Sequence, residues 1–266
     1  MSFLIWNCRG MGSDATVGEL CWLVKTFRPT VLFLSETKMW DTQAKNFMWS
    51  LGYTGSFAVS CEGRSGGLAL FWKQPFSISL RGFNSHCIDV TVSSEGQSPW
   101  HATFVYGEPR KEHRHIFWDL IRRLNRKDAA PWICCGDFNE VLLHDEHYGV
   151  RDRSDAQIEQ FRSCLNDCEL FDLGFSGPKF TWTNRQDAQS NIRVRLDRAV
   201  ANGAFSSRFE NYNVENVITT SSDHYAVVIS LDSVKLRQQR QHVQQGFKYE
   251  AMWKRADDYK EVVESA

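Results

Sequence analysis

Residues 132–139, Trp-Ile-Cys-Cys-Gly-Asp-Phe-Asn, constrain the chain more than any other stretch. Trp132 to Cys135 is a short apolar run without charge, the pattern of a strand buried on both faces. Gly136 breaks the run, and Asp137 and Asn139 follow two residues apart. If strand geometry persists for one more step, both side chains point to the same side. A carboxylate and a carboxamide presented together at a strand end can orient a water and a phosphate oxygen. An Asx-rich turn closing a strand gives the same letters without chemistry, so the stretch needs company to be a site.

That company stands near the N-terminus. Phe3-Leu4-Ile5-Trp6 is apolar and stops at Asn7, and Val31-Leu32-Phe33-Leu34 is apolar and stops at Ser35-Glu36. Three buried strands therefore deliver Asn7, Glu36 and Asp137 at their C-terminal ends, where ligand sites gather in open α/β sheets.

The 266 residues suffice for a full core in a single α/β domain. A formal net charge of −1 gives no global field toward nucleic acid or membrane, so a polyanion must be met by a local basic patch. The eight cysteines form no C-x-x-C pair, which excludes metal-finger spacing and predicts free, mostly buried thiols of a reducing compartment. No run has the basic flank of a signal peptide or the roughly 18 apolar residues of a membrane span. The expectation is a soluble intracellular protein of the cytoplasm and nucleus with no membrane partner, monomeric as an isolated domain.

Along the chain, Leu20, Leu23, Val24 and Phe27 predict a helix over 15–28 that Pro29 ends. A second helix is expected from Thr42 to Leu51, with Phe47, Met48 and Leu51 inward. Short strands at 53–61, 67–72, 76–81, 86–92 and 102–106 predict an antiparallel meander. Arg64-Ser65-Gly66-Gly67 lacks the Lys-Ser/Thr of a phosphate loop and reads as a turn. A helix at 112–126 should bury Ile116, Leu120, Ile121 and Leu124 and leave its arginines in solvent. His144-Asp145-Glu146-His147 is not the H-E-x-x-H zinc pattern and reads as a surface loop. A helix follows over 154–167, with Ile158, Phe161 and Leu165 inward and Cys164 and Cys168 packed. Strands are expected near 179–184, 192–196, 212–219 and 225–231, the last two split by Thr220-Ser221-Ser222-Asp223-His224. Residues 1–232 form the domain. Gln- and Arg-rich residues 234–246 then read as a linker, and Phe247 to Val263 as the start of a helical segment, within a second region over 233–266.

Phosphodiester hydrolysis needs charge neutralised on non-bridging oxygens, a water held in line and help for the leaving oxygen. Mg²⁺ suits the first task because it is hard and takes oxygen ligands. Glu36 is its natural ligand, with Asn7 adjacent and Asp223 a further ligand. Asp137 can aim the water and Asn139 the phosphate. His224 can contact the phosphate or move a proton, with Asp197 in Arg-Leu-Asp-Arg fixing its tautomer. Each has a plainer reading: Ser222-Asp223-His224 as a loop, Asp197 as the N-cap of a helix over 198–202, Tyr106 as a half-wet aromatic.

Trp6-Asn7-Cys8-Arg9-Gly10, Ser35-Glu36-Thr37-Lys38, Val105-Tyr106-Gly107, Gly136-Asp137-Phe138-Asn139-Glu140, Phe180-Thr181-Trp182, Arg195-Leu196-Asp197-Arg198 and Ser222-Asp223-His224 occur in this order. Together they resemble the endonuclease/exonuclease/phosphatase superfamily over roughly residues 3–231. More closely, they are similar to the apurinic-endonuclease-like domain of plant LINE-type (non-LTR) retrotransposon polyproteins. The resemblance implies a four-layer α/β sandwich, two mixed β-sheets packed face to face and flanked by helices. It implies an enzyme that nicks DNA with Mg²⁺, or Mn²⁺ in its place, leaving a 3′-hydroxyl to prime reverse transcription. Retrotransposon RNA would be met only indirectly, through a reverse transcriptase downstream of residues 247–266.

By the same resemblance Glu36 and Asn7 belong to the metal site, and Asp137 and Asn139 orient water and phosphate. Asp223 and His224 form the terminal dyad, Asp197 orients the histidine, Tyr106 lies near the scissile phosphate and Thr181 lines the DNA groove. Two other functions compete. One is a phosphatase or phosphodiesterase acting on inositol phosphates or other phosphoesters; the other is a catalytically silent nucleic-acid-binding remnant, which predicts loss of an essential polar group.

Overall fold

Strand side chains alternate between two faces, and in the central strands both faces are apolar because each sheet is covered twice. The computed structural model of the chain describes residues 1–125, 130–149, 153–187 and 190–231. The second region expected over 233–266 lies outside the described residues.

β1 (Ser2–Asn7), α1 (Asp14–Phe27) and β2 (Val31–Ser35) form the expected strand–helix–strand unit, with β1 and β2 parallel. The Ser13 side chain caps α1 by accepting from the Thr16 N–H, and Leu20, Leu23 and Val24 face inward. The helix expected over 42–51 is instead two short ones, α2 (Asp41–Lys45) and α3 (Phe47–Ser50). The break falls at Asn46, a poor helix former.

The expected meander is folded in half. β3 (Gly55–Glu62) and β4 (Ser65–Trp72) join β2, whereas β5 (Ser77–Phe83), β6 (Cys87–Ser94) and β7 (Gln97–Tyr106) build the other sheet. Pro75 stands in the crossing segment, where it costs no ladder hydrogen bond. Folding the meander sets Leu68 and Leu70 in the same core as Ile88 and Val90, which a flat sheet would leave half wet.

α4 (Arg114–Leu124) precedes β8 (Trp132–Asp137), and β9 (His147–Tyr148), α5 (Asp155–Asp167) and β10 (Phe171–Asp172) follow. The face of α4 differs from expectation: Ile116 is 60% exposed, and Phe117, Trp118, Ile121 and Arg114 are buried. Trp118 stacks on Phe161 of α5 with ring centroids 4.6 Å apart, and Arg114 pairs with Glu140 inside the protein. The aromatic pair and the internal ion pair turn the helix away from its aliphatic stripe.

Then come β11 (Trp182–Thr183), β12 (Arg193–Val194), β13 (Asp197–Ala201), α6 (Gly203–Arg208), β14 (Asn213–Val217) and β15 (Ala226–Ser230). The first sheet runs β14-β15-β1-β2-β4-β3 and the second β10-β13-β8-β7-β6-β5, both mixed. β11, β12 and β9 make a small third sheet.

Phe3, Ile5 and Phe33 of the first sheet share the central core with Phe104, Ile133 and Cys135 of the second, with Phe33 and Phe104 stacked at 5.3 Å. On the outer faces, Leu4, Trp6 and Leu32 pack with Leu20 and Leu23 of α1, and Trp132 and Cys134 pack with α4 and α5. This is the four-layer sandwich. Each buried Phe, Leu or Ile contributes roughly 1.5–3 kcal/mol relative to exposure, so the interdigitated inner rows hold the sheets together. Eight free cysteines are present; seven are buried, Cys134 and Cys135 among them, and Cys21 is exposed.

Candidate active site

The inner rows of five strands are apolar until their last residue at one end of the sandwich. Phe3 and Ile5 lead to Asn7, Val31 and Phe33 to Ser35, Phe104 to Tyr106, Ile133 and Cys135 to Asp137, and Ala201 and Ala199 back to Asp197. Period-two geometry thus turns every terminal polar side chain toward the same space between the sheets. Register aligns them further: Asn7 is opposite Ser35, and Tyr106 is opposite Asp137, which is opposite Asp197. The close approach of β7 and β8 requires glycine at 136, where a Cβ would lie 2.0 Å from the Val105 carbonyl oxygen.

Beyond three of these strands the chain turns through the left-handed region with a non-glycine residue. Arg9 has φ 55°, Glu36 φ 51° and Asn139 φ 56°. Such residues cost on the order of 1–3 kcal/mol and cluster where function over-determines the backbone. This also revises the reading of Asp137 and Asn139. The strand ends at Asp137, and the pair is joined by an Asx turn in which the Asn139 N–H donates to Asp137 Oδ1 at 2.8 Å. Asn139 Nδ2 donates to the Gly107 carbonyl at 2.9 Å.

Asn7 is the hub. Its Nδ2 donates to Glu36 Oε1 at 3.1 Å and to Asp137 Oδ2 at 3.0 Å, and lies 3.4 Å from His224 Nε2. Its Oδ1 accepts the Arg9 N–H at 3.2 Å. Tyr106 donates its hydroxyl to Glu36 Oε1 at 3.1 Å, and burial beside Glu36 and Asp137 pushes its phenol well above the ordinary range. His224 Nδ1 is 2.9 Å from Asp197 Oδ2, and its Nε2 is 3.8 Å from Asp137 Oδ2. Ser222 locks the loop by donating to the Asn7 carbonyl and accepting the His224 N–H.

The electrostatics follow from burial. Burial pushes Asp137 up to about 6 against the pull of His224. Burial would lower His224, but Asp197 and then Asp137 outweigh it and raise the imidazole to about 9. At neutral pH the His224 cation therefore stands beside the ionised Asp137 carboxylate.

Two sequence expectations need correction. Asp197 is not the N-cap of a helix: it opens β13, paired with Asp137, because the run Ala199-Val200-Ala201 is fully buried between the sheets and α5. Thr181 cannot line a groove, being 0% exposed. Its Oγ1 accepts the Leu196 and Asp197 N–H groups at 2.9 Å each and so fixes the start of β13.

Asp223 meets Arg9 and Trp182 Nε1 through Oδ2, whereas its Oδ1 is buried without a hydrogen-bond partner. Arg9, Lys38 and Trp182 are site residues that sequence reasoning passed over. Arg9 and Lys38 stand inside the motifs that carry Asn7 and Glu36, but no local pattern announces their left-handed backbones. Among the described residues, Asp137, Asp197 and His224 place ligand atoms within 4.8 Å of one another. The imidazole of that group is held as a cation between the two carboxylates. Glu36 and Asp223 fit a hard cation better: both are carboxylates, partly open to solvent, and Asp223 Oδ1 is an unsatisfied oxygen.

The sequence pattern of the Endonuclease/Exonuclease/phosphatase family matches residues 4–224. The chain belongs to that family. Members are divalent-metal-dependent hydrolases acting on phosphodiesters, and the matched span runs from β1 to His224, the whole of the cluster above. No curated protein matches the chain in sequence.

Solved structures share the fold. The endonuclease domain of TRAS1, a telomere-specific non-LTR retrotransposon, is 16% identical over 86% of this chain and 97% of its own, with a TM-score of 0.65. The 3′-5′ exonuclease NExo from Neisseria meningitidis is 17% identical over 87% of this chain and 100% of its own, at 0.64. The AP endonuclease LMAP from Leishmania major is 16% identical over 86% of each chain, at 0.67. The family's fold is the two-sheet sandwich with flanking helices described above. No helix among the described residues is long and apolar enough to cross a membrane.

Proposed function

We propose that the chain is a DNA endonuclease that uses Mg²⁺, with Mn²⁺ able to substitute, and leaves a 3′-hydroxyl that primes a reverse transcriptase encoded downstream. The observation that carries this reading is the convergence of Asp197, His224, Asp137, Asn7 and Glu36, from both sheets, on one space. The complete set of polar groups argues against a silent remnant. The likeness to a non-LTR retrotransposon endonuclease domain supports DNA as the partner, with retrotransposon RNA involved only through the reverse transcriptase. Arg9, Lys38 and Arg185 supply the local basic patch that the near-neutral composition demands: the first two border Glu36, and Arg185 donates to the Ser222 carbonyl. The active unit is an intracellular monomer.

Glu36 and Asp223 would hold the ion, with Asn7 and Tyr106 fixing the Glu36 carboxylate. Bound there, Mg²⁺ supplies neutralisation of the phosphate and the departing oxygen. Asp137, ionised above about 6, accepts a hydrogen bond from the attacking water and aims it at phosphorus. Its two oxygens are already oriented by the Asn139 N–H and by Asn7. His224, kept cationic by Asp197, donates from Nε2 to a non-bridging phosphate oxygen as charge accumulates there. Such positioned proton donors contribute ~10²–10⁴-fold. Asn139, held on Gly107, steers a second phosphate oxygen.

The test is relaxation of supercoiled plasmid by the purified protein with Mg²⁺ or EDTA, beside Glu36→Ala and His224→Ala. Mg²⁺-dependent open circles that vanish in both variants are the expected result. Absence of nicking by a well-folded wild type at low salt would overturn the reading.

A further inference from the structure

Arg9 sits where two carboxylates need a cation. Its Nη1 pairs with Asp223 Oδ2, and its Nε is 3.7 Å from Glu36 Oε2. Glu36 follows β2 and Asp223 precedes β15, so the two acids come from separate parts of the first sheet. The guanidinium is the group that touches both. Its placement is built in: the Asn7 Oδ1 holds the Arg9 N–H, and the left-handed backbone at Arg9 folds the side chain back over the strand ends. The side chain is also 48% exposed, so it can leave without opening a cavity.

We propose that Arg9 is an internal competitor for the divalent cation. The guanidinium occupies the position between Glu36 and Asp223, and an ion gains these carboxylates only as Arg9 withdraws. This rests on the reading of Glu36 and Asp223 as the cation site. The chemistry explains the withdrawal: guanidinium binds phosphate in the same forked geometry it uses for carboxylate, so an incoming phosphodiester offers Arg9 a second partner. Substrate thus frees the carboxylates for the ion, and the loaded ion favours substrate in return, as linkage requires. Lys38, with Nζ 3.9 Å from Glu36 Oε2, remains to offset part of the carboxylate charge when Arg9 leaves. Asp223 Oδ2, which Arg9 shares with Trp182 Nε1, is the oxygen that Arg9 frees for the ion, and the buried, unsatisfied Oδ1 of the same carboxylate is the second.

The test is Mn²⁺ binding to the full chain without nucleic acid, followed by the loss of the free-ion signal in electron paramagnetic resonance. Wild type, Arg9→Ala, Arg9→Gln and Glu36→Gln are compared, with circular dichroism as the check on folding. Removing a cation in contact with the site should tighten Mn²⁺ binding by about tenfold or more. Arg9→Gln should behave as Arg9→Ala does, and Glu36→Gln should abolish binding. Wild-type affinity or weaker in both Arg9 variants, with Glu36→Gln still abolishing it, would overturn the competitor and leave the cation site standing. Failure of every protein to bind Mn²⁺ at millimolar concentration would overturn the cation site, and the competitor with it.

Discussion

Asn7 and Asp137 stand 130 residues apart in the chain and meet across the two sheets, Nδ2 donating to Oδ2 at 3.0 Å. This bond joins the halves of the sandwich at the site, beside the contacts of Tyr106 with Glu36 and of His224 with Asp197. The same amide group also restrains Glu36, so one side chain links the Glu36 and Asp137 carboxylates.

Replacing Asn7 with Ala should therefore disturb both. The Asn7 hydrogen bond favours ionised Asp137 against burial, which already raises it to about 6. Without it the carboxyl rises further, and the acidic limb of a nicking pH profile moves to higher pH. Activity at pH 6 should fall more than activity at pH 8.

His224 depends on Asp197 for its charge. In Asp197→Asn the shape of the hydrogen bond survives while the main influence raising the imidazole is lost. The imidazole should fall well below about 9, read by NMR of labelled histidine. Nicking at pH 7.5 should drop by about 10²–10⁴-fold, with the fold retained by circular dichroism and the thermal midpoint lowered, since a raised imidazole contributes stability below its folded value.

Thr181 should prove structural in support of chemistry. Thr181→Val keeps the volume but orphans two buried N–H groups, those of Leu196 and Asp197, at about 1–3 kcal/mol each. Urea unfolding should show that loss, and Thr181→Ser, which restores the acceptor, should recover most of it.

Glu146 gives an acid-stability signature remote from the reaction. Burial would raise its carboxyl, but the Arg198 and Arg195 guanidiniums bring it down to about 2. A lowered folded value means the contribution is complete above the ordinary value of 4.5 and disappears as pH falls through about 2. The contribution is about 3 kcal/mol. Glu146→Gln should be destabilised by that order at pH 7, and its urea midpoint should converge on wild type near pH 2.

Much of this architecture is local and therefore readable in one dimension. The apolar runs before Asn7, Glu36 and Asp137 had to be doubly buried strands, since an uncharged four-residue run has no wet face to offer. Leu20, Leu23 and Val24 could only be the inner stripe of a helix stopped before Pro29. The motif order from Trp6 to His224 carried the family and the polar cluster together. What escaped is what depends on distant partners. Asp197 reads as a helix cap until Asp137 is its strand neighbour. Thr181 looks like a surface hydroxyl until it holds the Asp197 backbone. The face of α4 follows Phe161 and Glu140 rather than its own periodicity. The meander divides between sheets because two apolar rows gain more by facing each other than by lying side by side. Arg9 is the sharpest case: a residue in a glycine-rich turn becomes a counter-ion only when β2 and the loop before β15 bring Glu36 and Asp223 to it. Pattern alone decides where the doubly buried strands and the first helix run; which face of α4 is buried, which element takes Asp197 and which charges share a space are decided by tertiary packing, because electrostatic interaction depends on distance through space and burial, not on separation along the chain.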